Sequence, residues 1–283
     1  MGLSVHVHRK LHVVGRTSQA LKTAQRSENR APTNPRATTR RKRNLPSPSK
    51  RKDAKLRFKG VLIDLGDTLA YIDHAKNLKY QAALASTLKK HGHATRPETL
   101  TSVLADLYHT STKGELQTSQ KFWRLMLTKL SIPEQPELID ALQDVRSKHG
   151  DNLLTLYDKV PETLTRLEEK YQLALVSNCA PGTDAAIRFL GLADFFPCII
   201  LSYEIGVRKP DRRMYLEALK CLGLEADSCV FVADEISDLE GAREVGLKTI
   251  LVRQGRNTFA DAKDVNFQPD YQVNQVSEIA EVL

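Results

Sequence analysis

An α/β fold built on a mostly parallel sheet is predicted for this chain by three observations. Short apolar runs, Val61-Leu62-Ile63, Leu173-Ala174-Leu175-Val176, Cys198-Ile199-Ile200-Leu201, Cys229 to Val232 and Thr249 to Val252, have strand length and are bounded by Gly and polar residues. From about residue 157 onward these runs alternate with amphipathic stretches of helix length, a pattern that right-handed crossovers turn into a parallel sheet covered on both faces. Between the first run and the rest, residues 71–156 show helical periodicity only, which reads as a bundle inserted after the first strand.

Residues 1–57 precede the first strand and differ in kind from the remainder of the chain. They hold 16 Lys or Arg against Glu28 and Asp53, so this segment carries +14 of a chain whose total is +8, and the remainder is −6. Large apolar side chains are scarce after Val14, too few to offset the entropy of ordering, and the segment is expected to be disordered. An organelle transit segment and a nucleic-acid patch at Arg40-Arg41-Lys42-Arg43 and Lys50-Arg51-Lys52 compete with a dispensable solvated tail. Lipidation is excluded, because His6 stands where an acylation signal needs Ser or Thr.

The first strand ends abruptly at Asp64, followed by Leu65-Gly66-Asp67-Thr68-Leu69. In a parallel sheet the carboxyl edge is where ligands bind, so Asp64 stands at a catalytic position, although a lone Asp there reads equally well as a loop cap. In the insertion, Leu78 to Leu88 forms a helix stopped by Gly92. Further helical spacings occur at Leu100, Val103, Leu104, Leu107 and Tyr108, at Trp123, Met126, Leu127 and Leu130, and at Leu138, Ala141, Leu142 and Val145. About four helices result, with Phe122, Trp123 and Met126 read as bundle core.

Beyond the insertion, Pro161 tolerates a first helical turn and Glu162 to Lys170 continues it. Helices are also expected at Thr183 to Leu190 before Gly191, at Asp211 to Leu222 before Gly223, and at Asp238 to Val245. Tyr271-Gln272-Val273 forms a last short strand before a terminal helix from Val276. The four cysteines lack the close spacing of metal sites and suggest no disulfide framework, so a reducing, cytoplasmic setting is expected, with organelle targeting by the first 57 residues as the alternative. No apolar stretch approaches the roughly 18 residues a spanning helix needs, and no membrane partner is expected.

Several strands deliver a polar group as their apolar run ends: Asp64 after the first, Ser177 after the second and Asp234 after the fourth, with Lys209 in the loop after the third. On one rim of a parallel sheet these would form two carboxylates for a hard cation such as Mg²⁺ and a hydroxyl and ammonium for an anion. Taken singly each has an ordinary structural explanation; in this order they are distinctive. Asp64 to Thr68, Ser177, Lys209 in Arg208-Lys209-Pro210-Asp211, and Asp234 with Asp238 resemble motifs one to four of the haloacid dehalogenase superfamily of hydrolases. The insertion resembles that superfamily's first-type helical cap, as in subfamily IA, and the likeness spans 58 to about 255.

The resemblance implies a Rossmann-like parallel-sheet core at 58–70 and 157–283 and a helical cap at 71–156, beside the disordered basic tail that composition predicts at 1–57. It implies a phosphoryl-transfer mechanism on a small phosphorylated metabolite, with Asp64 attacking phosphorus to give an aspartyl-phosphate that water hydrolyses. Mg²⁺ would be held by Asp64, the Gly66 carbonyl and Asp234, with Asp238 behind them. Thr68, Ser177, the backbone around Asn178 and Lys209 would bind phosphate, Lys209 also balancing the crowded charge.

Two positions depart from the pattern. Family phosphatases usually carry an acid two residues after the nucleophile, but Gly66 is found there, and Asp67, one residue later, would point away unless the turn rotates it back. Losing a general acid typically costs about two to four powers of ten in rate unless the leaving group needs little protonation. Either good leaving groups, such as sugar 1-phosphates or acyl phosphates, or an acid recruited from the inserted helices are therefore expected. The second departure, Ala233 for Gly before Asp234, changes little. A 2-haloacid dehalogenase, in which the resemblance places an aromatic residue at position 66 and no metal, is the alternative enzyme; a weakly active phospho-ligand-binding protein is the alternative outside catalysis. Tyr71, His74 and Arg124 are the candidate specificity residues of the insertion.

Overall fold

Strand β1 (Gly60–Ile63) is apolar throughout because both its faces are covered, and all four of its residues are buried. The computed structural model describes residues 58–112, 118–150, 152–254 and 267–283; the segment expected to be disordered, 1–57, lies outside the described residues. After β1 the chain turns into β2 (Ala70–Ile72), then runs through α1 (His74–Lys90), α2 (Pro97–Thr112), α3 (Ser119–Lys129) and α4 (Pro136–Val145) before returning as β3 (Leu154–Leu156). Local chemistry starts these helices. Asp73 accepts from the Lys76 amide at 2.9 Å, Thr118 accepts from Lys121 at 3.3 Å, and α4 opens on a proline.

The alternating half comprises α5 (Val160–Glu168), β4 (Gln172–Ser177), α6 (Thr183–Phe189), β5 (Cys198–Leu201), α7 (Ser202–Ile205), α8 (Arg212–Leu222), β6 (Cys229–Ala233), α9 (Ile236–Val245), β7 (Lys248–Val252), β8 (Tyr271–Val273) and α10 (Ile279–Val282). Six strands form one sheet in the order β5-β4-β1-β6-β7-β8, every neighbouring pair parallel. The chain leaves β1 for β4 on one side and reaches β6 on the other. A crevice therefore opens above the carboxyl end of β1, where ligands bind in such sheets.

Side chains alternate across the sheet, so each strand feeds two cores. Val61, Ile63, Leu173, Leu175, Val230 and Val232 pack with Leu164, Leu167 and Ile279 on one face. On the other, Leu62, Ala174, Val176 and Phe231 pack with Met214, Tyr215, Ala218 and Leu239 of α8 and α9. The inserted helices bury a third cluster, including Leu84, Leu88, Leu107, Trp123 and Met126.

Three features differ from the sequence expectations. Residues 70–72 and 154–156, read as the seams of a purely helical insertion, pair as an antiparallel ribbon with Tyr71 opposite Thr155. The two legs run side by side in opposite directions and satisfy each other's backbone groups, a pairing that three-residue segments do not announce. The loop after β5 contains one helical turn, α7, closed by Gly206 in the left-handed conformation at φ 79°. The expectation of no disulfide is also corrected: Cys198 and Cys221 are bonded, with Cα atoms 6.0 Å apart. Helix α8 runs back across the sheet from β5, so its last turn lies over the start of that strand and brings together residues 23 apart in sequence.

Candidate active site

The register of the central strands sets the site. Ile63 lies opposite Leu175 of β4 and Val232 of β6, and the Asp64 amide still donates to the Val232 carbonyl at 2.9 Å. Asp64 therefore leaves the sheet level with the ends of both neighbours, and Ser177 and Asp234 emerge on either side of it. Asp64, Ser177 and Asp234 are 7%, 3% and 5% exposed. Polar side chains this deep require partners.

Lys209 is the partner that matters most. Its ammonium lies 2.8 Å from Asp64 Oδ1 and 2.7 Å from Asp238 Oδ2, above the Phe231 ring at 5.3 Å from its centroid, and the residue is 1% exposed. Burial alone would lower the Lys209 pKa, but Asp238 and Asp64 outweigh it and hold the ammonium above its ordinary value. Asp64 is raised by burial, with Lys209 pulling the other way.

The Asn178 side chain holds this lysine in place: Oδ1 accepts from the Lys209 amide at 2.7 Å and Nδ2 donates to the Lys209 carbonyl at 3.1 Å. The side chain of Asn178 is thus committed to the lysine loop, and only its backbone could face an anion. On the far side, the Lys209–Pro210 peptide is cis and Pro210 presses on α9. A Cβ on Gly241 would sit 2.6 Å from both the Pro210 Cβ and its carbonyl oxygen. Tyr215, fully buried, donates to the Asp238 carbonyl at 2.7 Å and stacks edge-on against Phe231.

Thr68, expected at the phosphate, is fully buried and faces Asp234 instead. Its hydroxyl accepts from the Asp234 amide at 3.1 Å and donates to Asp234 Oδ1 at 3.2 Å. Asp234 Oδ2 is buried without a hydrogen-bond partner among the described residues. Burial, with the charges of Asp64 and Asp67, pushes the Asp234 pKa up to about 7, and burial raises Asp238 to about 6 despite Lys209. The turn does rotate Asp67: its φ is 52° and its amide donates to the Ala70 carbonyl at 2.7 Å, placing its charge where Asp234 feels it. Gly66 is open: a Cβ there meets nothing within 4 Å.

The buried charges do not balance. Asp64, Asp234 and Asp238 face one ammonium, leaving an excess of negative charge that only protons or a cation can offset. Lys209 and the Leu65 amide, the latter at 2.7 Å, both bind Oδ1 of Asp64, so Oδ2 remains for a ligand. Asp64 Oδ2, orphaned Asp234 Oδ2 and the Gly66 carbonyl form an all-oxygen donor set suited to a hard divalent cation that keeps several waters. Among the described residues no cluster of three His, Cys, Asp or Glu side chains could hold a metal, so the set would rely on that carbonyl and on solvent.

Of the insertion residues named from sequence, Tyr71 packs against Tyr157 at 4.9 Å between ring centroids. Arg124 pairs with Glu134 at 2.8 Å where both are more than half exposed, and His74 opens α1. Tyr108, read only as one member of a helical stripe, reaches the site: its hydroxyl donates to the Asn178 carbonyl at 3.4 Å, and Arg146 donates to the Pro181 carbonyl of the same loop at 3.2 Å. Tyr215 and Phe231 looked like ordinary core residues and gave no sequence signal of their contacts.

The profile of the haloacid dehalogenase-like hydrolases matches residues 109–252. A glyceraldehyde 3-phosphate phosphatase of Pyrococcus abyssi is 29% identical over 205 residues, covering 70% of this chain and 83% of that protein. An (S)-2-haloacid dehalogenase of Pseudomonas sp. strain YL is 30% identical over 148 residues, 51% of this chain and 62% of the relative. The crystal structure of a 2-haloacid dehalogenase from Pseudomonas syringae pv. tomato DC3000 superimposes with a TM-score of 0.64 at 26% identity, covering 80% of this chain and 97% of that one.

Two outcomes check the geometry. In an ordinary helix Gly→Ala stabilises by about 1 kcal/mol, but Gly241→Ala should instead destabilise by about 1–3 kcal/mol, the usual cost of overpacking, and lower activity by shifting Lys209; a thermal midpoint that rises would contradict the contact. Asp234 binds its proton more tightly folded (about 7) than unfolded (3.8), so its contribution to stability falls as pH rises between those values. In divalent-free buffer, wild type should therefore lose stability relative to Asp234→Asn from pH 5 to pH 8, read by denaturant melts at each pH; parallel curves would refute the shift.

Proposed function

The chain belongs to the haloacid dehalogenase-like hydrolase family, and from that premise we propose that it is a divalent-cation-dependent phosphatase of a small phosphorylated metabolite. The observation that carries this reading is the unbalanced carboxylate cluster: Asp64 is fixed by Lys209 with one oxygen free, beside an orphaned oxygen of Asp234. That arrangement suits a carboxylate nucleophile facing a phosphate through a cation. When bound by Asp64, Asp234 and the Gly66 carbonyl, Mg²⁺ would offset their charge and that of a phosphate oxygen.

The remaining steps belong to the chain's own residues. Lys209 holds Asp64 in one rotamer and lowers the repulsion between carboxylate and phosphate. Ser177 and the backbone after it offer donors to phosphate oxygens at the neighbouring strand end. The Asp64 carboxylate attacks phosphorus, its new bond forming as the bond to the leaving oxygen breaks and that oxygen departs with the electron pair, and water then hydrolyses the aspartyl-phosphate. Thr68 fixes Asp234 and Asp238 fixes Lys209; neither needs to touch the substrate. With Gly66 in place of an acid, leaving groups of low basicity are favoured, so acyl phosphates and pyrophosphate should outrun alkyl esters such as glyceraldehyde 3-phosphate, the substrate named for the archaeal relative.

A dehalogenase is the second reading, favoured by the fold match to the P. syringae enzyme. A phosphate panel with and without Mg²⁺, run beside halide release from 2-chloropropionate, separates the two. Mg²⁺-dependent phosphate release, reduced at least a thousandfold by Asp64→Asn, is expected; metal-independent halide release with no phosphate turnover would overturn the phosphatase reading. Because a side chain at position 66 meets open space, Gly66→Asp should fold normally and raise turnover of alkyl phosphates by about 10²-fold or more relative to acyl phosphates. An unchanged substrate ratio would show that the missing acid is not what limits the enzyme.

A further inference from the structure

Tyr108 stands on the inserted helix α2 and touches the Asn178 turn. Its neighbours Leu100 and Leu107 are 1% and 0% exposed inside the bundle, whereas Tyr108 is 46% exposed and faces the strand ends. The hydroxyl donates to the Asn178 carbonyl at 3.4 Å, and desolvation raises its pKa, with the charges of Asp64, Lys209 and Arg208 also acting on it. It therefore keeps its proton and is available as a hydrogen-bond donor. A 3.4 Å bond is long for an O–H donor and is readily exchanged for a shorter one.

Asn178 joins Tyr108 to the chemistry. Its carbonyl receives the tyrosine while its side chain clamps the main chain of Lys209 on both sides, at 2.7 and 3.1 Å. A phosphoryl group bound among Asp64, Ser177 and Lys209 occupies the sheet edge, so whatever it is esterified to points away from the sheet, toward the inserted helices. That is the side from which Tyr108 enters, and Gly66 offers no side chain in the space opposite.

Resting on the phosphatase reading, we propose that Tyr108 is a specificity-determining residue that exchanges the Asn178 carbonyl for the leaving-group oxygen of the bound phosphate ester. It donates a hydrogen bond and transfers no proton, so it eases departure of the leaving oxygen without replacing the acid absent at Gly66. Its effect grows with the basicity of that oxygen, because charge accumulating there strengthens the bond.

The test is Tyr108→Phe, which keeps the ring and removes only the hydroxyl, assayed as the full chain with Mg²⁺ on aryl phosphates of graded leaving-group acidity and on acetyl phosphate. The expected result is a fall in kcat/KM of about five- to tenfold for the most basic leaving groups, the scale of one lost hydrogen bond, and little change for acetyl phosphate. The dependence of rate on leaving-group pKa should steepen, with an unchanged melting temperature. An equal fall on every substrate would show that the hydroxyl only steadies Asn178 and Lys209, and no fall would show that it stays away from the reaction; either overturns the inference alone. No turnover of any phosphate by wild type overturns the phosphatase reading and this inference with it.

Discussion

A single buried ammonium organises the candidate site. Lys209, 1% exposed, stands between Asp64 and Asp238 at ion-pair distance from both. Burying a charge this deeply is costly unless it is paired and held, and the surrounding structure is arranged to hold it. Asn178 fixes its main chain, the Phe231 ring lies beneath it, and Gly241 lets α9 approach the Pro210 turn closely. Two cores on opposite sides of the sheet keep the contributing strands in register, so the geometry rests on apolar packing on both faces.

The same lysine bears on the cation proposed for the site. It neutralises one carboxylate equivalent while three carboxylates are buried around it. Burial, together with that surplus, raises the pKa values of Asp234 and Asp238, and an Asp234 oxygen has no partner among the described residues. A protein without an anionic ligand can relieve that surplus by taking up protons. A hydrolase whose ligand brings further negative charge needs something stronger, and the all-oxygen donor set is chemically matched to it.

The inserted helices play a different part. Their interior is a conventional apolar bundle, closed by Trp123, Met126 and the leucines of α1 and α4. Tyr108 departs from that interior and carries a hydroxyl from the bundle to the sheet edge. The insertion begins and ends on the β2–β3 ribbon, and the Tyr157 amide donates to the Leu69 carbonyl at 3.0 Å just beside the turn that carries Gly66 and Thr68. The same short turn therefore shapes both the edge of the site and the root of the insertion.

Much of this was legible in the amino-acid order, because strand ends and their polar residues are local. Asp64, Ser177 and Asp234 follow apolar runs, the parallel pattern places such ends on one rim, and the helices of the insertion show in their spacing. What the sequence alone could not determine depends on contacts between residues distant in the chain. Thr68 turns out to bond Asp234, 166 positions away; the Asn178 side chain grips Lys209, 31 away; Cys198 meets Cys221; and Tyr108 leaves its apolar stripe to reach Asn178. Each partner is selected by how helices lie across the sheet, and that is settled by the packing of whole faces, which no short stretch encodes.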